Sequence, residues 1–459
     1  MTADGASRAP VGSGRKSDRL ALFGGTPVLS RESHRLWPIV GEEERRGVAR
    51  ALDRGVLSGP YAPESMALEE EFASFVGAKH CLLTHCGTSA LLVALVAAGV
   101  RAGDEVIVPA YSFVATPLAV IHAGAVPVFA DVDVATGCLD PTAAEAAITP
   151  QTRAIMPVHM HGCAADLGRL VEIARSHELA LVEDAAQAHG ATFAGRRVGA
   201  IGAAGGFSMQ SSKNLSAGEG GLFVTDDDAI AEEAACVRNF GQNVSQVDEA
   251  EYDLSRPLDG TRALDSRRVG SMYRGNEMMA AFARAQLAAL PERTARCQRN
   301  ADRLARALVE LPGVVPPLVP TGRTSVHHKF RVHLDPARAG VDLSPRRLRD
   351  AVLVALRAEG LEVVLWQSAP LPAQAVFQRR DPLAGFPRAR EGGSDLAANY
   401  DPSRYPRTKA LLDGSVVLFS QSCPLIAQGD DVIDRYVEAF RRVWNHRDAL
   451  TEWAARPTS

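Results

Sequence analysis

Short apolar runs alternate with helix-patterned stretches between residues 81 and 184, and that alternation constrains this chain more than any other feature. Cys81-Leu82-Leu83, Glu105–Pro109, Val126–Ala130, Ala154–Val158 and Ala180–Asp184 read as strands. Ala90–Ala98, Ala115–His122, Pro141–Ile148 and Ala165–Ser176 read as the helices between them. Strand and helix in turn means βαβ units and a mostly parallel sheet. The strands are apolar throughout rather than alternating, as a sheet covered on both faces requires. The fold class is therefore α/β.

The remainder arranges itself around that block. Residues 1–20 are mostly Ala, Gly, Ser, Arg and Lys without an apolar h-region, so they read as a disordered tail rather than a signal peptide. Leu20–Val28 reads as an irregular arm, and Glu42–Asp53 and Glu64–Phe75 as surface helices. Residues 241–270 are polar and aperiodic and read as a long loop or insertion. Asn276–Leu290 and Glu292–Leu311 read as two long amphipathic helices, separated at Pro291. Pro312–Thr321 holds four prolines and is the expected boundary between a large domain, 21–311, and a small α+β domain, 312–459. Residues 367–402 read as loop-rich.

With 459 residues the chain can bury a large core and a second, smaller one. A net charge of −4 and a 23% charged composition point neither to nucleic acid nor to a membrane surface. No apolar run approaches the ~18 residues of a membrane span. The seven cysteines are scattered and lack a C-x-x-C pair, which fits reduced thiols and a cytoplasmic location.

Two stretches carry chemistry. Lys213 is the only lysine between Lys79 and Lys329, and it sits in small, polar, glycine-rich sequence before the apolar run Leu222-Phe223-Val224. Such a lysine is either a solvated loop residue or, if crowded and desolvated, an amine free to attack a carbonyl as a Schiff-base lysine. Upstream, the strand Ala180–Asp184 ends on an acid inside Val182-Glu183-Asp184-Ala185-Ala186-Gln187-Ala188-His189-Gly190. Lys213 with Asp184 is the minimum set for pyridoxal 5'-phosphate (PLP): an amine to carry it and a carboxylate to keep its ring nitrogen protonated.

Other motifs admit two readings. Gly87-Thr88-Ser89 lies between a strand and a helix, where backbone N–H groups and hydroxyls can seat a phosphate or simply cap the helix. Ser208 could add a hydroxyl to that seat. The glycine series Gly199, Gly202, Gly205, Gly206 precedes a strand instead of following one, so it is not a dinucleotide loop. His159 and His161 alternate like metal ligands, but no third ligand is evident; no metal is expected, and a cleft-lining loop or a plain β–α connection remains. His327-His328-Lys329 reads as a solvated strand start or as a reach into an interdomain cleft.

Together these stretches resemble the DegT/StrS-type sugar aminotransferases, from about residue 20 to the C-terminus. The resemblance implies PLP fold type I: a large domain on a mostly parallel, seven-stranded-type sheet flanked by helices, with a smaller C-terminal α+β domain. It assigns Asp184 to the pyridine nitrogen, Gln187 to the ring hydroxyl, Ser208 and Gly87-Thr88-Ser89 to the phosphate, Phe113 to stacking on the ring, and Lys213 to catalysis. Pro157-Val158-His159 matches a loop near the cofactor, with His161 where an aromatic is common. Met272 stands where the family often has a phosphate-contacting asparagine lent by the neighbouring subunit, and Arg274 is the expected replacement.

Lys213, where dehydratase relatives carry histidine, favours transamination. Met209-Gln210 and Ala217-Gly218-Glu219-Gly220-Gly221 are similar to the branch acting on ketocyclitols. The function so implied is transfer of an amino group from L-glutamine or L-glutamate to a ketone on a sugar or cyclitol ring, in amino-sugar or aminocyclitol (antibiotic-type) biosynthesis, by a homodimer with shared active sites. His159, His161, His327, His328 and Lys329 are candidates for substrate contact. Two alternatives stay open: elimination or dehydration of an amino ring on the same scaffold, and a non-catalytic PLP- or ligand-binding regulatory relative.

Overall fold

A computed structural model describes residues 19–59, 62–242, 266–381 and 385–456. The large sheet is assembled from β1 (His80–Thr84), β2 (Glu105–Pro109), β3 (Val126–Ala130), β4 (Thr152–Ile155) and β5 (Ala180–Asp184). A short ribbon follows, β6 (Thr192–Phe193) with β7 (Arg196–Arg197), and then β8 (Ala204–Ser208) and β9 (Gly221–Thr225) complete the large sheet. Its seven strands run in the order β1-β9-β8-β5-β4-β2-β3. Only β9 is antiparallel to its neighbours β1 and β8; the other pairings are parallel. The sheet is therefore mostly parallel, as the alternation of elements requires. Strands β2, β3, β8 and β9 are buried at every residue, because helices cover both faces.

Helices α1 (Glu42–Arg54), α2 (Pro63–Val76), α3 (Gly87–Ala97), α4 (Ala115–His122), α5 (Pro141–Ala146), α6 (Leu167–Ser176) and α7 (Asp228–Arg238) surround it. Next comes α8, one continuous 32-residue helix over Glu277–Leu308 with Pro291 inside it. The sequence led us to expect two helices here. A proline removes one backbone donor, but the buried stripe through Leu287, Leu290, Cys297 and Leu304 packs on either side of it and keeps the axis continuous.

The second sheet joins β10 (Val314–Val315), β11 (Phe330–Leu334), β12 (Val363–Val364) and β13 (Ser415–Leu418) in the order β10-β11-β13-β12, all antiparallel. Long helices over Pro345–Ala358 and Asp430–Asn445 pack with it. The N-terminal arm is held by this C-terminal part: Ala21 and Val28 N–H groups donate to Glu359 at 2.8 and 3.2 Å, and Arg35 N–H donates to Gln428 Oε1 at 3.0 Å.

Within 367–402, two short helices, Ala375–Arg379 and Leu396–Asn399, turn the chain back on itself. Phe377 and Tyr400 from this region pack edge-on against Phe129 of β3, and Phe386 packs against Tyr400. Of the expected 241–270 insertion, the ends meet in a bridge between Gln242 and Ser266; 243–265 lie outside the described residues, as do 1–18 of the expected tail. Among the described residues no helix is long and apolar enough to cross a membrane.

Candidate active site

The site forms where the C-terminal ends of parallel strands meet a hairpin. Strand β5 delivers two adjacent carboxylates to opposite faces, because side chains alternate along a strand. Glu183 turns inward, where it accepts N–H bonds from Gly199 (2.7 Å), Ile201 (2.6 Å) and Gly202 (2.7 Å) and meets His159 Nε2 at 3.0 Å. Asp184 turns to the cavity. Its Oδ2 accepts the Thr116 hydroxyl at 2.7 Å and its Oδ1 the Ala186 N–H at 3.1 Å. Burial pushes the Asp184 carboxyl above its ordinary pKa, against the pull of Thr116, Ala186 and the Lys213 charge.

Lys213 lies in the connection between the antiparallel strands β8 and β9. Met209 N–H donates to Gly220 O and Ala217 N–H to Met209 O, each at 2.8 Å, which closes the hairpin base. The Lys213 N–H donates to Gln210 O at 2.8 Å, and Trp37 Nε1 of the arm donates to Lys213 O at 3.0 Å. The backbone is thereby held on both sides. Burial, opposed by Asp184, brings the Lys213 amine down to about 8. An amine so poised beside a buried carboxylate can take up and return a proton near neutral pH.

These groups share a cavity of about 300 Å³. Gly87, Thr88, Phe113, Gln187 and Ser208 line it, together with Asp184 and Lys213. Gly87 opens α3 against Ser208: a Cβ there would stand 2.6 Å from Ser208 Cβ and 3.0 Å from Ser208 Cα. The absent side chain is what brings the helix N-terminus against the serine. Phe113 is 57% exposed, a large apolar ring left uncovered at the cavity wall.

The remaining candidates divide. His328 and Lys329 line the cavity. Burial and neighbouring charge hold the His328 ring well below its ordinary pKa, so it is neutral. Ser89 does not line it; its hydroxyl is turned to Cys86 Sγ at 3.2 Å and His85 Nε2 at 3.1 Å. The cap of α3 is Cys86, whose sulfur accepts the Ser89 N–H at 3.4 Å. His159 is fully buried behind Glu183, and its Nδ1 accepts the Ala165 N–H at 3.0 Å, so both ring nitrogens are used inside the fold. His159 is accordingly not among the residues that line the cavity. His161 is buried beside the cavity with its Nε2 2.7 Å from the Tyr111 hydroxyl, and its N–H donates to Gln187 Oε1 at 3.0 Å. His327 is buried against Phe330, in a left-handed conformation with φ 46°, outside the cavity lining. Arg274 is likewise not in the lining; its Nη1 donates to Asn239 Oδ1 at 2.9 Å, and its backbone bridges to Thr84. Met272 is 42% exposed. Among the described residues no cluster of three or more His, Cys, Asp or Glu side chains could hold a metal ion.

Sequence reasoning did not single out Thr116, Glu219, Trp366 or Gln421, all of which line the cavity. Thr116 falls in the stretch Ala115–His122 that reads as a helix, and Glu219 in the glycine-rich run Ala217–Gly221. Trp366 and Gln421 come from the C-terminal part and carried no signal.

Residues 38–395 match the DegT/DnrJ/EryC1/StrS aminotransferase family. A Streptoalloteichus tenebrarius protein, provisionally named L-glutamine:3-amino-2,3-dideoxy-scyllo-inosose aminotransferase, is 40% identical over 440 residues, covering 95% of this chain and 100% of that one. The L-glutamine:scyllo-inosose aminotransferase of Streptomyces griseus is 38% identical over 441 residues, 92% of this chain and 97% of that one. The crystal structure of 3-amino-5-hydroxybenzoic acid synthase superposes with a TM-score of 0.75 at 32% identity, over 92% of this chain and 100% of that one. The chain belongs to the DegT/DnrJ/EryC1/StrS aminotransferase family, and it is an aminotransferase on the PLP fold type I scaffold.

Proposed function

We propose that this aminotransferase carries PLP on Lys213 and moves the amino group of L-glutamine to the ketone of an inosose-type cyclitol. The observation that carries the reading is the pairing of Lys213 with Asp184 in one cavity, the amine depressed to about 8 and the carboxylate buried. The names of the relatives from Streptoalloteichus tenebrarius and Streptomyces griseus support the choice of donor and acceptor.

The residues present fit the cofactor. The close approach of Gly87 to Ser208 leaves a cradle that a Cβ would fill, and N–H groups at the first turn of α3 suit a phosphate. Uncovered Phe113 suits a flat ring, which it would shield from water. PLP, when bound, supplies an electron sink for the carbon that loses its proton. Asp184 would hold the proton on its ring nitrogen, and Thr116 and Ala186 keep both Asp184 oxygens oriented. Lys213 withdraws the proton from the donor α-carbon and later returns one to the acceptor carbon. Gln187 is assigned to the ring hydroxyl. A homodimer is part of this reading, with Arg274 and Met272 near a shared site.

The test is the visible absorbance of the cofactor-loaded protein on addition of L-glutamine. Bleaching with release of the oxo acid is expected, and Lys213→Ala is expected to abolish it. A band that stays unchanged, or turnover retained by Lys213→Ala, refutes the proposal. Ammonia or water released without an aminated ring would point to elimination chemistry.

A further inference from the structure

The cavity contains two lysines in different circumstances. Lys213 is the amine of the chemistry. Lys329 stands just before β11 on a segment pinned to the 160–162 turn: Val326 N–H donates to Gly162 O at 2.9 Å, and Lys329 N–H to His161 O at 3.3 Å. Its side chain is 4% exposed, lines the cavity, and its Nζ has no hydrogen-bond partner among the described residues. Among the described residues the other buried cations find acceptors. Arg331 donates to Val134 O (3.1 Å), Ala135 O (2.7 Å) and Ser415 Oγ (3.2 Å), and Arg349 to Leu412 O (2.8 Å). A desolvated ammonium without an acceptor is costly, so an unpaired one facing a cavity calls for an anion from outside the chain.

We infer that Lys329 is the seat of the α-carboxylate of the amino donor, an inference resting on the reading of L-glutamine as donor. The donor brings a carboxylate and the cyclitol acceptor does not. Among the described residues, Lys213 and Lys329 are the only cations in the cavity lining, and Lys213 is engaged in proton transfer. The phosphate seat lies on other elements, the first turn of α3 and Ser208. The neighbouring rings of His161 and His328 are both held neutral by burial and nearby charge, so neither competes for the anion. Glu219, also in the lining, makes no hydrogen bond with Lys329. Burial and the Lys213 charge hold the Lys329 amine at about 8, and an arriving carboxylate draws a proton onto it.

The experiment compares L-glutamine with L-glutaminol, which replaces the carboxylate by an alcohol, on cofactor-loaded protein followed by visible absorbance. Wild type is expected to half-saturate with L-glutamine at about ten- to a hundredfold lower concentration than with L-glutaminol, the range of one charge-assisted bond. Lys329→Met and Lys329→Gln are expected to lose that preference by weakening L-glutamine alone, and Lys329→Arg to restore part of it. Folded variants that keep the wild-type preference, that weaken both donors equally, or that lose PLP while keeping the preference overturn the inference. If wild type does not respond to L-glutamine, the donor reading fails. Calorimetric titration with 4-carbamoylbutanoate, the donor lacking its amine, then tests the seat directly: binding to wild type and not to Lys329→Met supports it, and equal or absent binding refutes it.

Discussion

The Thr116 hydroxyl donates to Asp184 Oδ2 across 2.7 Å, with both residues buried. This bond opposes the burial that pushes the carboxyl upward. Thr116→Val keeps the shape and removes the donor. The carboxylate then holds its charge less well, and bleaching by L-glutamine is expected to slow about tenfold, the worth of one hydrogen bond to a charged group. Stopped-flow absorbance measures it; an unchanged rate in folded protein would discard the orienting role of Thr116.

Glu183 points the other way and serves the fold. Burial works to raise its carboxyl pKa, but His159 and the Gly199 and Gly202 N–H groups outweigh burial and hold it below the ordinary value. A depressed folded pKa stabilises above the unfolded value and is lost as pH falls through the folded one. Glu183→Gln is expected to cost about 3 kcal/mol or more, read as a lower urea midpoint at pH 7. The gap between variant and wild type should narrow below about pH 4.

Gly87→Ala tests the cradle. Its Cβ would meet Ser208 Cβ at 2.6 Å, and a strand backbone does not yield as the tip of a flexible side chain does. Overpacking of this kind costs about 1–3 kcal/mol, and PLP affinity is expected to fall at least about tenfold. A fluorescence titration of the apo protein with PLP measures both variant and wild type; equal affinity would place the phosphate elsewhere.

Lys329 also marks the pH dependence of the cofactor-free protein. Its folded pKa, about 8, lies below the ordinary lysine value of 10.5, so the unfolded state binds more protons between those values and stability rises with pH there. Below pH 8 the buried charge costs about 3 kcal/mol. Lys329→Met is therefore expected to be more stable than wild type at pH 7, with the advantage shrinking toward pH 10. Urea midpoints across that range check the sign.

The large sheet was legible in the residues because parallel strands covered on both faces are continuously apolar, and β2 and β3 coincide with the runs Glu105–Pro109 and Val126–Ala130. The continuity of α8 was not, since Pro291 carries the local signal of a break and only packing overrides it. Local pattern also left His159 and His161 looking alike. One spends both nitrogens on Glu183 and Ala165, and the other faces Tyr111 beside the cavity.

Local chemistry alone marked Asp184 as an acid ending a strand and Lys213 as an isolated lysine in a glycine-rich turn. Their meeting in one cavity depends on parallel strands aligning their C-terminal ends, which no spacing along the chain encodes. The place of Lys329 likewise needs the second sheet to be docked, because its burial and its lack of an acceptor are set by residues far away in sequence. Residue type and order specify which groups are available; desolvation and pairing, which shift their pKa values, arise only when distant segments close around them.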